Sequence, residues 1–272
     1  MNYKKISVPF LVFGLLLHFS ENLSACDKHA AAKSSPRTDF LYQYSIIDAL
    51  LAGVFDGDLT FGELKKHGDF GIGTFNQLDG ELIMLNGIVY KIRHDGKVLV
   101  VPDHEKTPLA FVNFFKADTT FTIVKENLTF KDVEAYIDSL FNRNYLYAVQ
   151  IKGEFKTISA RSVRPATAPY PSLTEHIQNG GQQLFNFTNV KGVCAGYSLP
   201  PYMARTNVPG YHVHFLSEDK TQGGHVFGFT ADTLEIQLNY IHGFTVESSA
   251  HEEFKNIDLY KDRAKELHSV EK

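Results

Sequence analysis

Residues 210 to 225 read Gly-Tyr-His-Val-His-Phe-Leu-Ser-Glu-Asp-Lys-Thr-Gln-Gly-Gly-His. The alternation at the start of this stretch predicts a β-strand with aromatic and aliphatic side chains on one face and with His212 and His214 on the other. Residues 217 to 224 are polar and glycine-rich, which predicts a turn. The chain then returns on a neighbouring strand with His225. The stretch therefore predicts a β-hairpin that brings three imidazoles together.

The rest of the chain contains more predicted strands than helices. Three short apolar segments, separated by the Asn-Gly and Asp-Gly dipeptides typical of tight hairpins, predict an antiparallel meander at residues 82 to 85, 88 to 92 and 97 to 101. Residues 129 to 141 carry apolar side chains at helical spacing. Because strands and helices do not alternate regularly, the sequence predicts an α+β fold of antiparallel or mixed sheets with a few flanking helices.

Composition divides the chain into a leader, a tether and two domains. Residues 1 to 25 are predicted to be a signal peptide, and the small polar residues from 26 to 39 a flexible tether. The proline-containing run that follows residue 164 predicts a boundary between an N-terminal α+β domain, residues 40 to 165, and a C-terminal α+β domain, residues 166 to 272. The C-terminal domain would contain the histidine hairpin.

The leader predicts an exported protein. Lys4 and Lys5 precede an apolar run at residues 6 to 19, which is shorter than the roughly 20 residues that a membrane-spanning helix needs. A stable transmembrane segment is therefore not expected. Cys26 follows Leu-Ser-Ala, a pattern at which bacterial lipoproteins are cleaved and acylated. Two alternatives stay open: a lipid anchor at Cys26, or cleavage after Ala25 and free secretion.

The charge balance argues against nucleic acid as a partner. The formal net charge is -4 and the sequence pI is about 6.3, so the chain has no large basic field. Hydrophobic residues make up 43% of the 272 residues, enough for a substantial buried core. A small molecule or another protein is the expected partner.

Three neutral imidazoles on a stiff hairpin suit a Zn²⁺ ion or a similar divalent metal, and they leave coordination positions open for water or substrate. Two alternative functions stay open on these residues alone. A cupin-type metal enzyme would use Glu218 in the His-x-His-x₃-Glu spacing and a distant histidine such as His251, but not His225. An exported, non-catalytic metal- or ligand-binding lipoprotein would bind metal without turnover.

Several further blocks resemble one enzyme family. Residues 71 to 83, Gly-Ile-Gly-Thr-Phe-Asn-Gln-Leu-Asp-Gly-Glu-Leu-Ile, resemble the N-terminal block of the acetolactate decarboxylases. Four later blocks are similar to that family in the same order: Arg161-Ser-Val, Gly192-Val-Cys-Ala-Gly-Tyr, Pro209-Gly-Tyr-His-Val-His-Phe and Gly223-Gly-His-Val. The resemblance covers residues 40 to 272, and the blocks together are far more specific than any one of them.

The resemblance implies a two-domain α+β fold, one zinc ion, a homodimer, and conversion of (S)-2-acetolactate to (R)-acetoin and CO₂. It assigns the zinc ligands to His212, His214 and His225. It also implies four further site residues, the last of them placed by its spacing from the C-terminus: Thr74, Glu81, Arg161 and Glu271. This sequence has Arg164-Pro where the family more often has proline directly after Arg-Ser-Val, so Arg164 is a second candidate for the arginine.

These residue types suit the reaction that the resemblance implies. Loss of CO₂ leaves an electron pair that spreads onto the ketone oxygen as an enediolate, and a zinc ion would stabilise that charge as a Lewis acid. Arg161 would pair with the departing carboxylate. Glu81 would protonate the carbanion, provided that burial raises its pKa. Thr74 would add a neutral hydrogen bond.

Overall fold

The computed structural model describes Arg37 and residues 39 to 271. The helices are α1 (Ile47–Leu51), α2 (Phe61–Leu64), α3 (Phe130–Leu140), α4 (Leu173–Gln178), α5 (Glu252–Asn256) and α6 (Ala264–Glu271). The strands are β1 (Phe40–Tyr44), β2 (Leu59–Thr60), β3 (Phe70–Thr74), β4 (Glu81–Leu85), β5 (Ile88–Ile92), β6 (Val98–Val100), β7 (Lys106–Thr107), β8 (Ala110–Asn113), β9 (Thr119–Thr129), β10 (Leu146–Val163), β11 (Gln182–Leu199), β12 (Gly210–Ser217), β13 (Gly223–Ile241) and β14 (Gly243–Glu247). The predicted α+β class with mixed sheets and few helices is confirmed.

Seven strands form a mixed sheet in the order β14-β1-β8-β3-β4-β5-β6. Only the β1–β14 pair is parallel among the pairs of this sheet in the described residues. The predicted meander is its β4–β5–β6 portion. Asn86 and Gly87, with φ of 51° and 75°, make the turn between β4 and β5, because both tolerate the left-handed region that such a turn requires.

The second sheet has the order β10-β11-β12-β13-β9, and β10 also pairs with β13, so that four of its strands close into a ring. The predicted histidine hairpin is β12 and β13, in which His214 lies opposite His225. The predicted amphipathic helix is α3. Thr129 begins it with a capping box that includes Asp132, and Phe130, Val133 and Ile137 are its buried residues.

The main core lies between the two sheets. Its cluster includes Ile72 and Ile83 from the seven-stranded sheet and Tyr197 and Leu216 from the five-stranded sheet. A second cluster lies within the five-stranded sheet and beneath α3. A third lies where α2 covers the other face of the seven-stranded sheet. The sheets therefore share one large apolar interface, and the histidines of β12 lie at this interface.

The sheets do not divide at the sequence boundary between residues 165 and 166. Strands β9 and β10 precede it but belong to the sheet of β11 to β13, and β14 follows it but pairs with β1. All described residues belong to one compact unit. The division into two domains stays a prediction. The signal peptide, Cys26 and most of the tether lie outside the described residues.

None of the helices within residues 39 to 271 is both long enough and apolar enough to span a lipid bilayer.

Candidate active site

The β12–β13 hairpin brings His212, His214 and His225 together, as the sequence predicts. Their candidate ligand atoms all lie within 4.8 Å of one another. His212 Nε2 lies 3.1 Å from His225 Nδ1. His214 Nδ1 lies 2.7 Å from the carbonyl oxygen of Leu82, which can only accept, so Nδ1–H donates and Nε2 keeps its lone pair. One strand of each sheet therefore helps to orient this imidazole.

Burial keeps the three imidazoles neutral. Burial first, and then the positive charge of Arg161, lower the pKa of His212 to about 3. The pKa values of His214 and His225 also lie well below the usual value, again because of burial first. The neutral form is the one that binds a metal ion. His212 Nδ1 is buried and has no hydrogen-bond partner among the described residues.

Two carboxylates, the buried Glu81 and the largely buried Glu271, whose side chain is 10% exposed, flank the cluster at different imidazoles. Glu81 begins β4, and its Oε2 lies 3.6 Å from His214 Nε2. Glu271 ends α6, and its Oε2 lies 3.8 Å from His212 Nε2 and 3.7 Å from His225 Nε2. Burial raises the pKa of Glu81 to about 7, with Arg161 opposing the shift and Glu271 adding to it. Burial also raises the pKa of Glu271 against the effect of Arg161.

Arg161 supplies the positive charge of the site. It lies on β10 directly opposite His225, and its side chain is 5% exposed. Its Nη2 lies 3.6 Å from Glu271 Oε1 and its Nε 3.9 Å from Glu81 Oε1. Nη1 donates to the carbonyl of Val270 and, at 3.3 Å, to Gln182 Oε1. The guanidinium therefore contacts both carboxylates and the C-terminal helix.

Arg164 does not take this place. Its Nη2 donates to Gln183 Oε1 at 2.8 Å, and it is absent from the described lining of the cavity that Arg161 enters. The three-residue separation on an extended chain directs the two side chains to opposite faces. Of the two candidate arginines, Arg161 is the one at the histidines.

Thr74 lies opposite Glu81 in the β3–β4 pair, and its hydroxyl donates to the Gly80 carbonyl at 2.8 Å. The turn between these strands has positive φ at Gln77 (63°), Leu78 (56°) and Gly80 (106°). A Cβ at Gly80 would lie 2.5 Å from the Ile92 carbonyl oxygen, so this position requires glycine. Thr74 thus holds the turn that delivers Glu81.

These polar groups open onto a small cavity of about 50 Å³ with apolar walls. The walls come from widely separated segments and were missed by sequence reasoning: Ile47, Leu50, Leu78, Leu109, Phe111, Val163 and Leu173. No local pattern distinguishes these residues from any other core residue. Apolar walls remove water, which strengthens every charge interaction inside the cavity.

The cupin-type arrangement is wrong. Glu218 lies in the turn after β12, is exposed, and borders a different groove with Lys191 and Lys220. His251 has its Nδ1 3.8 Å from Glu253 Oε2, near α5. His225, which that arrangement excludes, belongs to the cluster. The tight β12–β13 turn directs Glu218 to solvent, so the spacing of His-x-His-x₃-Glu does not become a ligand set.

The family model for alpha-acetolactate decarboxylase matches residues 41–261. An alpha-acetolactate decarboxylase of Brevibacillus brevis is 40% identical over 247 residues, which cover 90% of this chain and 85% of the relative. One of Methanosarcina mazei is 38% identical over 254 residues, covering 93% and 87%. A crystal structure of the enzyme from Bacillus subtilis strain 168 matches with a TM-score of 0.82 at 35% identity, covering 85% of this chain and 98% of the other.

The fold and the site therefore define a carboxy-lyase, an enzyme that removes a carboxyl group from its substrate. The alternative of a non-catalytic binding protein is wrong, because the similarity covers most of the length of relatives that are enzymes. More specifically, the chain belongs to the alpha-acetolactate decarboxylase family.

Proposed function

We propose that this protein converts (S)-2-acetolactate to (R)-acetoin and CO₂ with one Zn²⁺ ion held by His212, His214 and His225. The observation that carries the proposal is the cluster of three neutral imidazoles, those of His214 and His225 buried and that of His212 partly buried, whose ligand atoms lie within 4.8 Å of one another. The cluster lies beside the buried side chains of Arg161 and Glu81 and beside the largely buried Glu271. The chain that carries it belongs to the alpha-acetolactate decarboxylase family.

The residues fit a zinc ion in three ways. The donor set is three nitrogens, which is the set of catalytic zinc sites that keep one position open. The Leu82 carbonyl fixes the His214 tautomer, the kind of outer contact that orients metal-binding histidines. The low pKa values remove competition by protons. When bound, such an ion supplies Lewis acidity that withdraws electron density from the substrate oxygens next to the breaking bond.

Arg161 would bind the carboxylate that leaves. Val270 and Gln182 hold its Nη1, while its Nε is buried and lacks a hydrogen-bond partner among the described residues. An unpartnered buried donor is costly, and a substrate carboxylate would satisfy it. Fixing that carboxylate also orients the bond between it and the neighbouring carbon, which lowers the entropic part of the barrier.

Glu81 would return the proton to the substrate carbon. With a pKa of about 7, it is populated in both protonation states near neutral pH. The carbon–carbon bond breaks, CO₂ leaves, and the electron pair spreads to the neighbouring ketone oxygen. Glu81 then gives its proton to the carbon that lost the carboxylate, and solvent restores the proton. A donor fixed on one side of the cavity would make the product a single enantiomer.

The direct test measures metal and product on the purified mature protein. We expect about one zinc per chain by elemental analysis and acetoin in a colour assay with 2-acetolactate, without thiamine diphosphate or pyridoxal phosphate. Treatment with a chelator should remove both the zinc and the activity, and added Zn²⁺ should restore them. Full turnover by the metal-free protein would contradict the proposed metal dependence.

We also propose that the protein is exported and forms a homodimer. The support is the leader sequence for export and the family resemblance for the dimer. Labelled palmitate should be incorporated at Cys26 and lost in Cys26→Ser if the protein is a lipoprotein, whereas a freely secreted form would carry no label. Light scattering of the mature protein should give twice the mass of one chain.

A further inference from the structure

We propose that Arg205 is a positioning residue for the reaction: it links the C-terminal segment to helix α1 and so holds Glu271 and Val270 at the cavity. Arg205 does not itself enter the cavity. This inference rests on the proposed function, because the position of Glu271 matters to turnover only if the histidine site is catalytic.

The side chain of Arg205 contacts two separate parts of the chain with different nitrogens. Its Nε donates to Asp48 Oδ2 at 2.8 Å. Its Nη2 donates to the carbonyl of Leu259 and approaches that of Lys261 at 3.5 Å. Asp48 belongs to α1, while Leu259 and Lys261 lie just before α6. A planar guanidinium can make both sets of bonds at once, which a single ammonium group cannot do in the same geometry.

Both of the linked parts border the active-site cavity. Ile47 and Leu50, the neighbours of Asp48 in α1, line its wall. At the other end, α6 contributes Glu271 to the lining and the Val270 carbonyl to Arg161. A displacement of the segment before α6 would therefore move a carboxylate that lies within 3.8 Å of two imidazoles.

The backbone at Arg205 reinforces the link. Its φ is 71°, in the left-handed region that non-glycine residues rarely adopt. Its carbonyl accepts from the Asp48 N–H at 3.2 Å, and the Thr206 carbonyl accepts from the Ile47 N–H at 2.9 Å. The start of α1 is thus held by the same loop that precedes β12 and its histidines. A strained conformation persists where surrounding contacts over-determine it.

The C-terminal segment depends on such contacts. Residues 257 to 263 form neither helix nor strand, and α6 has eight residues, too few to be stable in isolation. Leu267 and Val270 pack α6 against the main core. Arg205 holds the segment on its N-terminal side. Contacts on both sides of the segment therefore fix the direction of α6.

A simple surface ion pair would be a weaker explanation of the same contacts. The side chain of Arg205 is 52% exposed, and exposed ion pairs contribute little to stability. Asp48, however, is only 4% exposed, and the remaining acceptors are backbone carbonyls of a distant segment. The two explanations predict different enzyme activity for a variant that keeps a positive charge beside Asp48 but loses the bonds to the carbonyls of Leu259 and Lys261.

The test uses Arg205→Lys, which keeps a positive charge beside Asp48, and Arg205→Gly, which removes the side chain and suits the left-handed backbone. For Arg205→Lys we expect kcat/KM to fall about tenfold, since small displacements of site groups are costly. Trypsin should cleave after Lys261 faster than in wild type, as measured by mass spectrometry. Arg205→Gly should show both effects more strongly, because it removes the bonds to Asp48 and to the C-terminal segment together.

Two controls separate positioning from general destabilisation. In a Glu271→Gln background, Arg205→Lys should change kcat/KM by less than about twofold, because residues that act through one group are not additive. Arg143→Lys alters a comparable exposed pair, Arg143 to Asp138 at 3.0 Å, and should change neither activity nor cleavage. An equal loss in the Glu271→Gln background, or unchanged proteolysis, would overturn the inference. A wild-type protein without turnover would instead refute the proposed function.

Discussion

The β12–β13 hairpin and the C-terminal segment deliver side chains to the same cavity by different means. The hairpin holds His214 and His225 opposite each other through backbone pairing, and Leu82 on the other sheet orients the His214 ring. The C-terminal segment ends in an eight-residue helix that carries Glu271 and is attached by side-chain contacts. The first arrangement is part of the sheet, and the second is packed against it.

This difference predicts two kinds of mutational behaviour. Substitutions at the hairpin remove a metal ligand that no neighbouring residue can replace. A register shift in β12 would turn every side chain of the strand to the other face of the sheet. Changes in the C-terminal segment alter the position of one carboxylate and leave the three imidazoles in place. The hairpin should therefore control whether the site binds metal, and the segment should control how fast the loaded site turns over.

The largest effect is expected for His214→Ala. The change removes the most tightly oriented imidazole and opens a cavity beneath it, so zinc content and acetoin formation should both fall to background, a loss of at least about 1,000-fold. Elemental analysis and the acetoin assay measure the two quantities on the same sample.

His104→Ala is the matched control for that loss, because His104 is exposed and remote in sequence from the cluster. It should keep both zinc and activity. If His214→Ala retained a full complement of zinc, the assignment of the three imidazoles as ligands would be wrong.

The next largest effect is expected for Glu81→Gln. The amide keeps the shape of the side chain but cannot donate the carboxyl proton, so kcat should fall by about 100- to 1,000-fold. KM and zinc content should change little, since neither the histidines nor Arg161 is altered. A loss of zinc in this variant would show that Glu81 acts on the metal rather than on the proton.

The same variant should change the pH dependence of stability in the metal-free protein. Glu81 has a folded-state pKa of about 7, above its unfolded value of about 4.5. Its contribution to the free energy of unfolding is therefore fully present below about pH 4.5 and is lost as the pH rises through 7. Glutamine cannot ionise. Between pH 4.5 and pH 8, the free energy of unfolding of Glu81→Gln, measured with denaturant, should therefore rise on the order of 3 kcal/mol relative to that of wild type. A difference in the free energy of unfolding that does not change with pH would contradict the raised pKa of Glu81.

A smaller loss, about 10- to 100-fold in kcat/KM, is expected for Glu271→Gln. The three imidazoles remain on the hairpin, so zinc content should stay near one per chain. Lys265→Gln is the matched control, because Lys265 is exposed on the same helix and its substitution leaves the ion pairs of Glu266 with Lys261 and Arg263 intact. Loss of zinc in Glu271→Gln would remove the distinction between hairpin and segment.

The two regions also differ in how much the sequence alone could predict. The hairpin followed from local features, the alternation around His212 and His214 and the glycine-rich turn before His225. Glu81, Arg161 and Glu271 were found only through family resemblance, because strand pairings such as Arg161 with His225 join positions far apart in the chain. A strand's pattern indicates its faces and not its partner.

The same limit explains the walls and the sheets. Leu109 and Leu173 look like ordinary core residues, and only the assembled fold makes them cavity walls. Helix α3 could be predicted because its buried residues Phe130, Val133 and Ile137 recur at helical spacing within one short segment. The parallel pairing of β1 with β14 joins residues 40 to 44 to residues 243 to 247, which are far apart in the sequence, and no local pattern indicates it.

The smallest effect is expected at Thr74, which belongs to the sheet but acts through one hydrogen bond. Thr74→Val keeps the shape and removes the donor to the Gly80 carbonyl, leaving a buried acceptor that costs about 1 to 3 kcal/mol of unfolding free energy. Because the turn still holds its glycine and Glu81 stays in its strand register, kcat/KM should fall only about three- to tenfold. Thr74→Ser keeps the hydroxyl and should stay near wild type in both measurements. A loss in Thr74→Val as large as that of Glu81→Gln would mean that the hydroxyl contacts the substrate directly, and the turn would then be more than a support for Glu81.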